Sequence, residues 1–513
     1  MTSHELDNAA AWRSHGFEGD PDDLLSEQTL VHGWRHRWQE APDHPTLFDS
    51  TFGWIDGREL ELRTADVAGR FVAEGVKSGD RVLMSCQPSI ELVITHIGAL
   101  RAGCTVVPVN TAYTSAELGN IARESGARVV VLDDVSRLDN STVLTCASDL
   151  AGLPQETEAS LIEAVRRTES LQTDDPALLV FTSGTTGRPK GALLSHGNLL
   201  ASAQALCIAW GWTTTDRLVL ALPLFHIHGL GVGVHCTLLA GASAVIIPKF
   251  SPDAVFDAAR EHSATQLFGV PTMWVRLLDS ARASELRGVR VCVSGSAALA
   301  PDVWNGLRDR AGQHVIERYG MTETVINISN PLSGERKPGS VGLPLPGVQV
   351  RLDAIGADDV GEIVLRGPNV FSGYWNRPDA NAESFTDDGW FRSGDLGRVD
   401  TDGYVAIVGR SKDLIITGGY NVYPRDVEEM LRDHPTIADA AVLGEPSVEW
   451  GETVTACVIA VPGSVLDIGD ILAYASKHLA GYQRPRRIVV VDEFPRNALG
   501  KVVKADLLSV IRT

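Results

Sequence analysis

Short runs of β-branched and other apolar residues recur along most of the chain, each bounded by Gly, Asp or Pro and separated by helical patterns. Arg81–Ser85, Ala127–Leu132, Leu178–Thr182, Ala244–Pro248 and Val289–Ser294 are runs of this kind. Such alternation predicts layered α/β architecture with parallel strand pairing. After about Gly339 the texture changes. Gly361–Arg366 and Tyr404–Val408 read as strands, and the turns Asp388-Gly389 and Asp402-Gly403 point to hairpins or a small β-barrel. From Asp413 onward a compact α+β pattern follows, with strands near Ala440–Leu443 and Val454–Ala460 and helices near Pro424–Asp433 and Ile468–Leu479. The break at Gly409–Lys412 divides a large domain, 1–409, from a small C-terminal domain, 410–513.

Composition narrows the partners. A chain of 513 residues exceeds what one hydrophobic core usually serves, and 44% apolar with 21% charged residues is ordinary for a globular protein. A formal charge of −20 repels nucleic acid and anionic membrane surfaces, so neither is an expected partner. An anionic ligand would need local cations and oriented N–H groups. The seven cysteines are scattered without a CxxC pair, which fits buried thiols in a reducing compartment. No run approaches the roughly 18 apolar residues that span a bilayer. Met1 to Asp23 is polar and acidic, without the basic and apolar regions of a leader, so the cytoplasm is the expected compartment.

The sharpest local feature is Phe181-Thr182-Ser183-Gly184-Thr185-Thr186-Gly187-Arg188-Pro189-Lys190-Gly191, with a strand-like run on either side. Small residues let successive N–H groups point inward, while hydroxyls and Lys190 add donors, a chemistry suited to polyphosphate. It is not a Walker A loop, because G-x-x-x-x-G-K-[S/T] is absent and no helix follows at once. The pair His226 and His228, with His235 beyond, raises a metal site. Residues i and i+2 of a strand share a face, but no third ligand has a convincing spacing. Gly229, Gly231 and Gly233 do not form G-x-G-x-x-G, and close helix packing explains them better than a dinucleotide site.

Further motifs follow in order: Pro223-Leu224-Phe225-His226, Gly295-Ser296-Ala297, Tyr319-Gly320-Met321-Thr322-Glu323, Ser393-Gly394-Asp395, Gly409-Arg410 with Lys412-Asp413, Gly418-Gly419-Tyr420, and Pro495 through Gly500-Lys501. Over nearly its whole length the chain resembles the adenylate-forming superfamily of acyl- and aryl-CoA synthetases, peptide-synthetase adenylation domains and firefly-type luciferases. The resemblance implies ATP, Mg²⁺ and CoA as reactants and cofactor. It implies that Thr182–Lys190 hold the β- and γ-phosphates, that Tyr319 stacks on adenine and that Gly295–Ala297 line the other side of the base. Thr322 would bond the α-phosphate, Glu323 bind Mg²⁺, and Asp395, supported by Arg410, take the ribose hydroxyls. Lys501 would bridge the acid and the α-phosphate. The small domain would then rotate about Lys412 and present Gly418, Gly419 and Tyr420 to the thiol. Pro495 through Lys501 also resembles the site at which many acyl-CoA ligases are silenced by a lysine acetyltransferase.

The acid-side segments, Leu222–Leu230, Phe268–Leu277 and Val293–Leu299, look most like those of malonyl-CoA synthetases. There, His226 is implied as a mobile gate, Ser296 lines the acid, and Arg276 meets the distal carboxylate of malonate or methylmalonate. A bidentate guanidinium suits that task. On a helical wheel Met273, Trp274, Leu277 and Leu278 share one arc and Arg276 sits just off its edge, which also fits an arginine reaching a surface acid. Ile416–Pro424 instead reads like ligases of fatty and aryl acids. The alternatives are adenylation of an aryl, fatty or unusual small acid with transfer to a carrier protein or amine, and a non-catalytic nucleotide-binding relic acting as a scaffold or sensor. A relic would be expected to have lost Lys501, Glu323 or Asp395, and all three are present.

Overall fold

The structure is a computed structural model that describes residues 4–6, 12–13, 20–138, 143–182, 189–354, 359–496 and 501–512. The chain divides into two compact units. One comprises Leu6–Gln349 with Leu365–Phe391, and the other Met1–Glu5, Val350–Val364 and Arg392–Thr513.

The first unit holds two mixed sheets. In the seven-stranded sheet, Arg81–Ser85 lies between Thr105–Pro108 and Ala127–Leu132, parallel to both. Leu144–Ala147 extends the parallel set, and Pro176–Thr182 joins it on the other side. These strands are short apolar runs because helices cover both faces, so no polar alternation is needed. The helix Ile90–Arg101, capped by Ser89, is apolar almost all round and buried along nearly its full length. In the nine-stranded sheet, Arg217–Leu220, Gln266–Gly269, Val291–Ser294 and Ile316–Tyr319 run parallel side by side. Their carboxyl ends precede the motif segments at 222–228, 270–276, 295–297 and 320–323. Open α/β sheets bind ligands at such ends.

The expected strands are found with small shifts of boundary, but the segment carrying His226 and His228 is not a strand. It enters a helical run, His228–Val234, in which the Val232 N–H bonds the Ile227 carbonyl, and His235–Leu239 continues it as an α-helix. Gly229 is needed for packing: a Cβ there would lie 2.3 Å from the Pro223 carbonyl oxygen.

Most of the second unit's first sheet comes from the region read as hairpins or a barrel: His4–Leu6, Gln349–Ala354, Gly361–Arg366, Phe391–Val399 and Val405–Arg410 form a five-stranded sheet whose residues fall mainly in that unit. A second sheet pairs Ile437–Ser447 with Gly451–Ala460 beneath the helices Pro424–Arg432 and Ile468–His478. The compact units differ from the boundary at 409/410. Val360, Leu396, Val408 and Tyr423 share one apolar cluster, and Arg398 pairs with Asp426, so the strands before 410 gather with the residues after it.

His96, His196 and His235 are buried in the first unit. His96 and His235 meet Nε2 to Nε2 at 3.1 Å with stacked rings, and Trp34 leans on both. Burial lowers the pKa of His96 and of His196 to about 3, and that of His235 well below the usual value. A folded-state pKa below the unfolded value of about 6.5 means that the unfolded chain binds the proton more readily. The stability these groups contribute is therefore present above pH about 6.5 and is lost as pH falls from there toward about 3. Each such histidine withdraws about 1.4 kcal/mol per pH unit in that window. Urea unfolding of His196→Asn and the parent between pH about 6.5 and 4 should show the variant with the shallower slope by about that amount; parallel slopes would contradict the assignment.

Candidate active site

The phosphate-loop segment is framed by an antiparallel hairpin in which Thr182 pairs with Lys190. Ser183, Gly184, Thr185, Thr186 and Gly187 lie outside the described residues. At the far edge of the hairpin the short strand Gly373–Tyr374 pairs with Lys190–Ser195, Tyr374 opposite Ala192. This strand brings two sequence-distant groups together. The Tyr374 hydroxyl donates to Glu323 Oε1 at 2.7 Å, and the Lys190 ammonium lies 5.2 Å from the centre of the Tyr374 ring. The Phe371 N–H bonds the Glu323 carbonyl at 2.9 Å. Glu323 is a buried carboxylate at the end of the segment Gly320-Met321-Thr322.

Tyr319 closes the strand Ile316–Tyr319 and is largely buried, its hydroxyl 3.9 Å from Met321 Sδ. Gly295-Ser296-Ala297 leave the neighbouring parallel strand, and Ser296 has a left-handed backbone, φ 71°. The loop after Glu323 is fixed by Asn369, which donates to the carbonyls of Thr324 and Ile326. Among the described residues no three His, Cys, Asp or Glu side chains gather as a metal cage. A lone buried carboxylate such as Glu323 is of the kind that, together with substrate phosphates, suits Mg²⁺, a hard cation usually held by one or two carboxylates.

Around the segments 222–228 and 295–297, several polar atoms lack partners among the described residues. His226 is half-buried against Phe225, burial lowers its pKa to about 4, and its Nε2 has no hydrogen-bond partner among the described residues. His228 stacks near Phe268, places Nδ1 3.4 Å from Ser296 Oγ, and leaves Nε2 unpartnered. The residue that the sequence reading missed is Arg318. It is 6% exposed, burial pulls its guanidinium down to about 9, and Nε and Nη2 find no acceptor among the described residues. Gly295 makes room for it: a Cβ there would stand 2.3 Å from its Cζ. Arg276 occupies the exposed side of the helix Pro271–Asp279, over the Phe250 ring at 4.9 Å, and makes no ion pair among the described residues. A surface acid partner for Arg276 is thus not what the structure shows.

The second unit gathers the remaining predicted residues. Asp395 and Arg410 face each other across antiparallel strands and form an ion pair at 3.0 Å. Lys412 lies exposed in the single turn Ser411–Asp413. Lys501 is exposed as a residue, yet its ammonium is held below the ordinary lysine value, first by desolvation and then by Arg410. Asp395 and Asp413 act in the opposite sense, and Lys412 adds a smaller lowering effect. Gly418 and Gly419, φ 57° and 83°, make a two-residue hairpin turn whose left-handed backbone favours glycine. Beside it lies an exposed aromatic and cationic face: Tyr420 stacks on Tyr482 at 4.7 Å, and Arg486 covers Trp450 at 4.3 Å.

A carboxylate, a lysine and an aromatic ring gathered beside Thr182 and Lys190, which bracket a hydroxyl-rich sequence, suit a nucleotide polyphosphate, and similarity to known proteins shows the same class. The AMP-binding enzyme family matches residues 34–375 and its C-terminal domain matches 426–501, so the chain belongs to this family and is an AMP-forming acyl-CoA synthetase. A malonate–CoA ligase of Arabidopsis thaliana is 35% identical over 479 residues, 84% of this chain and 78% of the relative. A feruloyl-CoA synthase of Amycolatopsis is 36% identical over 484 residues, 92% of this chain and 97% of the relative. Among solved structures, ATP-bound MatB from Rhodopseudomonas palustris is 37% identical with a TM-score of 0.86, covering 94% of this chain and 99% of its own. Among the described residues, no helix is long and apolar enough to cross a membrane.

The charge balance around Lys501 has a measurable consequence. Arg410→Gln should raise the apparent pKa of Lys501, because a cation is removed, and Asp395→Asn should lower it. The pH dependence of trace acetic anhydride labelling at Lys501, read by mass spectrometry, reports both shifts. Shifts of the opposite sign, or none, would contradict the cluster.

Proposed function

We propose that this enzyme joins CoA to a small carboxylic acid that carries a second anionic or strongly polar group, with malonate or methylmalonate as the best-fitting acids. The observation that carries the reading is Arg318, a buried guanidinium whose Nε and Nη2 find no acceptor among the described residues, near His228, whose Nε2, like that of His226, is also unpartnered among them. A buried charge without a partner costs several kcal/mol, which a substrate anion would offset. A purely apolar acyl chain would leave these groups unsatisfied. Arg276, which no carboxylate holds among the described residues, is a second guanidinium for the distal group.

The chemistry follows from the poor leaving group of a carboxylate. Its oxygen attacks the α-phosphorus of ATP, pyrophosphate departs, and the acyl-adenylate then yields to the CoA sulfur with AMP as the leaving group. Charge that grows on the phosphate in the first step is met by fixed cations and dipoles. In this reading the segment Thr182–Lys190 holds the β- and γ-phosphates, Thr322 the α-phosphate and Tyr319 with Gly295–Ala297 the adenine. Asp395 and Arg410 take the ribose, and Lys501 bridges the attacking oxygen and the α-phosphate. Mg²⁺ on Glu323 supplies charge neutralisation when bound. His226 gates the acyl pocket. The functional boundary lies at 409/410, with Lys412 as the hinge that exchanges Lys501 for Gly418–Tyr420 between the two steps. Stacked aromatics and arginines beside that turn suit a nucleotide with phosphates, as CoA presents. Acetylation of Lys501 would remove the charge that the first step needs and switch the enzyme off.

Acid-dependent pyrophosphate release over malonate, methylmalonate, butyrate and ferulate, each with and without CoA, tests the substrate class. Arg318→Met and Arg276→Leu should lower turnover of malonate by about one to three decades, because breaking a desolvated charge pair costs about 2–5 kcal/mol. Butyrate turnover should change far less. A parent enzyme that prefers butyrate or ferulate, or variants that lose all acids in proportion, would remove the dicarboxylate assignment.

A further inference from the structure

Tyr374 stands outside every residue assigned above to ATP, acid or thiol, yet it touches two of them. Its hydroxyl donates to Glu323 at 2.7 Å, and its ring carries the Lys190 ammonium at 5.2 Å. Its own placement is fixed on all sides. Asn381 accepts from the Tyr374 N–H at 2.6 Å and donates to its carbonyl at 3.1 Å. The Trp375 N–H bonds the Gly191 carbonyl at 2.8 Å, which ties the segment to the strand leaving the phosphate loop. The ring meets Phe371 edge-on, centroids 4.9 Å apart, and the Phe371 N–H in turn bonds the Glu323 backbone. The strand Gly373–Tyr374 is thus a short bridge from the loop's lysine to the buried carboxylate.

We propose that Tyr374 is a positioning residue that orients the Glu323 carboxylate toward the divalent cation of the nucleotide and seats Lys190 beside it. The inference rests on the reading of Glu323 as the cation's protein ligand. A carboxylate has about four lone-pair sites, so a hydroxyl on one oxygen still allows cation binding and fixes the direction in which it occurs. A hydrogen bond to a charged group is among the stronger polar contacts. The ring attracts the lysine ammonium through its face and so limits where that cation can lie when phosphates arrive. One side chain therefore sets the spacing between two cationic supports of the polyphosphate, the metal and the lysine.

Mn²⁺ binding to the ATP complex, measured by electron paramagnetic resonance, tests this without relying on turnover. Tyr374→Phe keeps the ring and removes the hydroxyl. It should weaken Mn²⁺ binding about tenfold while leaving ATP binding in EDTA unchanged, which also shows that the variant is folded. Tyr374→Leu should weaken ATP binding in EDTA as well, because Lys190 loses its aromatic face. In a Glu323→Gln background, already defective in Mn²⁺ binding, Tyr374→Phe should add no further loss. Parental Mn²⁺ affinity in Tyr374→Phe, or an equal loss in both backgrounds, would overturn the proposal. Unchanged Mn²⁺ binding in Glu323→Gln would remove the role of Glu323 itself and this inference with it, whereas the acid-selectivity results would stand.

Discussion

In the proposed function, the structure depends on keeping positive charge ready for a substrate inside a chain whose own net charge is −20. An acidic protein could readily neutralise its cations with nearby carboxylates, and on the surface this one does so repeatedly. Arg318 is the exception that matters. It is buried, its pKa is pulled down by desolvation, and two of its donors have no protein acceptor among the described residues. Lys501 is tuned more finely, between the lowering effect of desolvation and Arg410 and the raising effect of Asp395 and Asp413. A group such as Arg318 is costly in the folded protein, and in the proposed function it becomes useful when an anion arrives.

Topology makes the arrangement feasible. Parallel strands end together at one edge of the nine-stranded sheet, so the segments following Leu220, Gly269, Ser294 and Tyr319 are neighbours by construction. Stiff strand ends place Ser296, Tyr319 and Arg318 with little freedom, while the hairpin around the phosphate loop reaches Glu323 through Tyr374. In the second unit the same economy holds. Asp395 and Arg410 are cross-strand partners, so the ion pair forms wherever that ladder forms.

Much of the scaffold was legible in the sequence for plain physical reasons. Arg81–Ser85, Ala127–Leu132 and Gly361–Arg366 are strands with the expected ends, because β-branched runs bounded by Gly, Asp or Pro leave few alternatives. The helices at Pro424–Arg432 and Ile468–His478 follow from apolar periodicity. The histidine segment misled, since a short apolar stretch with i, i+2 polar spacing does not separate strand from helix, and its glycines permit close helical packing. Family motifs named Glu323, Lys190, Asp395 and Lys501, but Arg318 and Tyr374 carried no local signal. Their meaning lies in partners far along the chain: Gly295 and His228 for one, Glu323 and Lys190 for the other. The grouping of the strands before 410 with the C-terminal residues was likewise hidden, because it depends on the apolar contact of Val360, Leu396 and Val408 with Tyr423.

In the proposed mechanism, two reactions on one acid require that the charge supplied by Lys501 serve the first and not the second. The most direct measurement separates the two half-reactions in Lys501→Ala. Acid-dependent exchange of pyrophosphate into ATP should fall by about 10²–10³-fold, the usual cost of removing one fixed donor from a developing oxyanion. Thioester formation from supplied acyl-adenylate and CoA should stay near the parent rate. Equal losses in both half-reactions, or undiminished pyrophosphate exchange, would contradict the account.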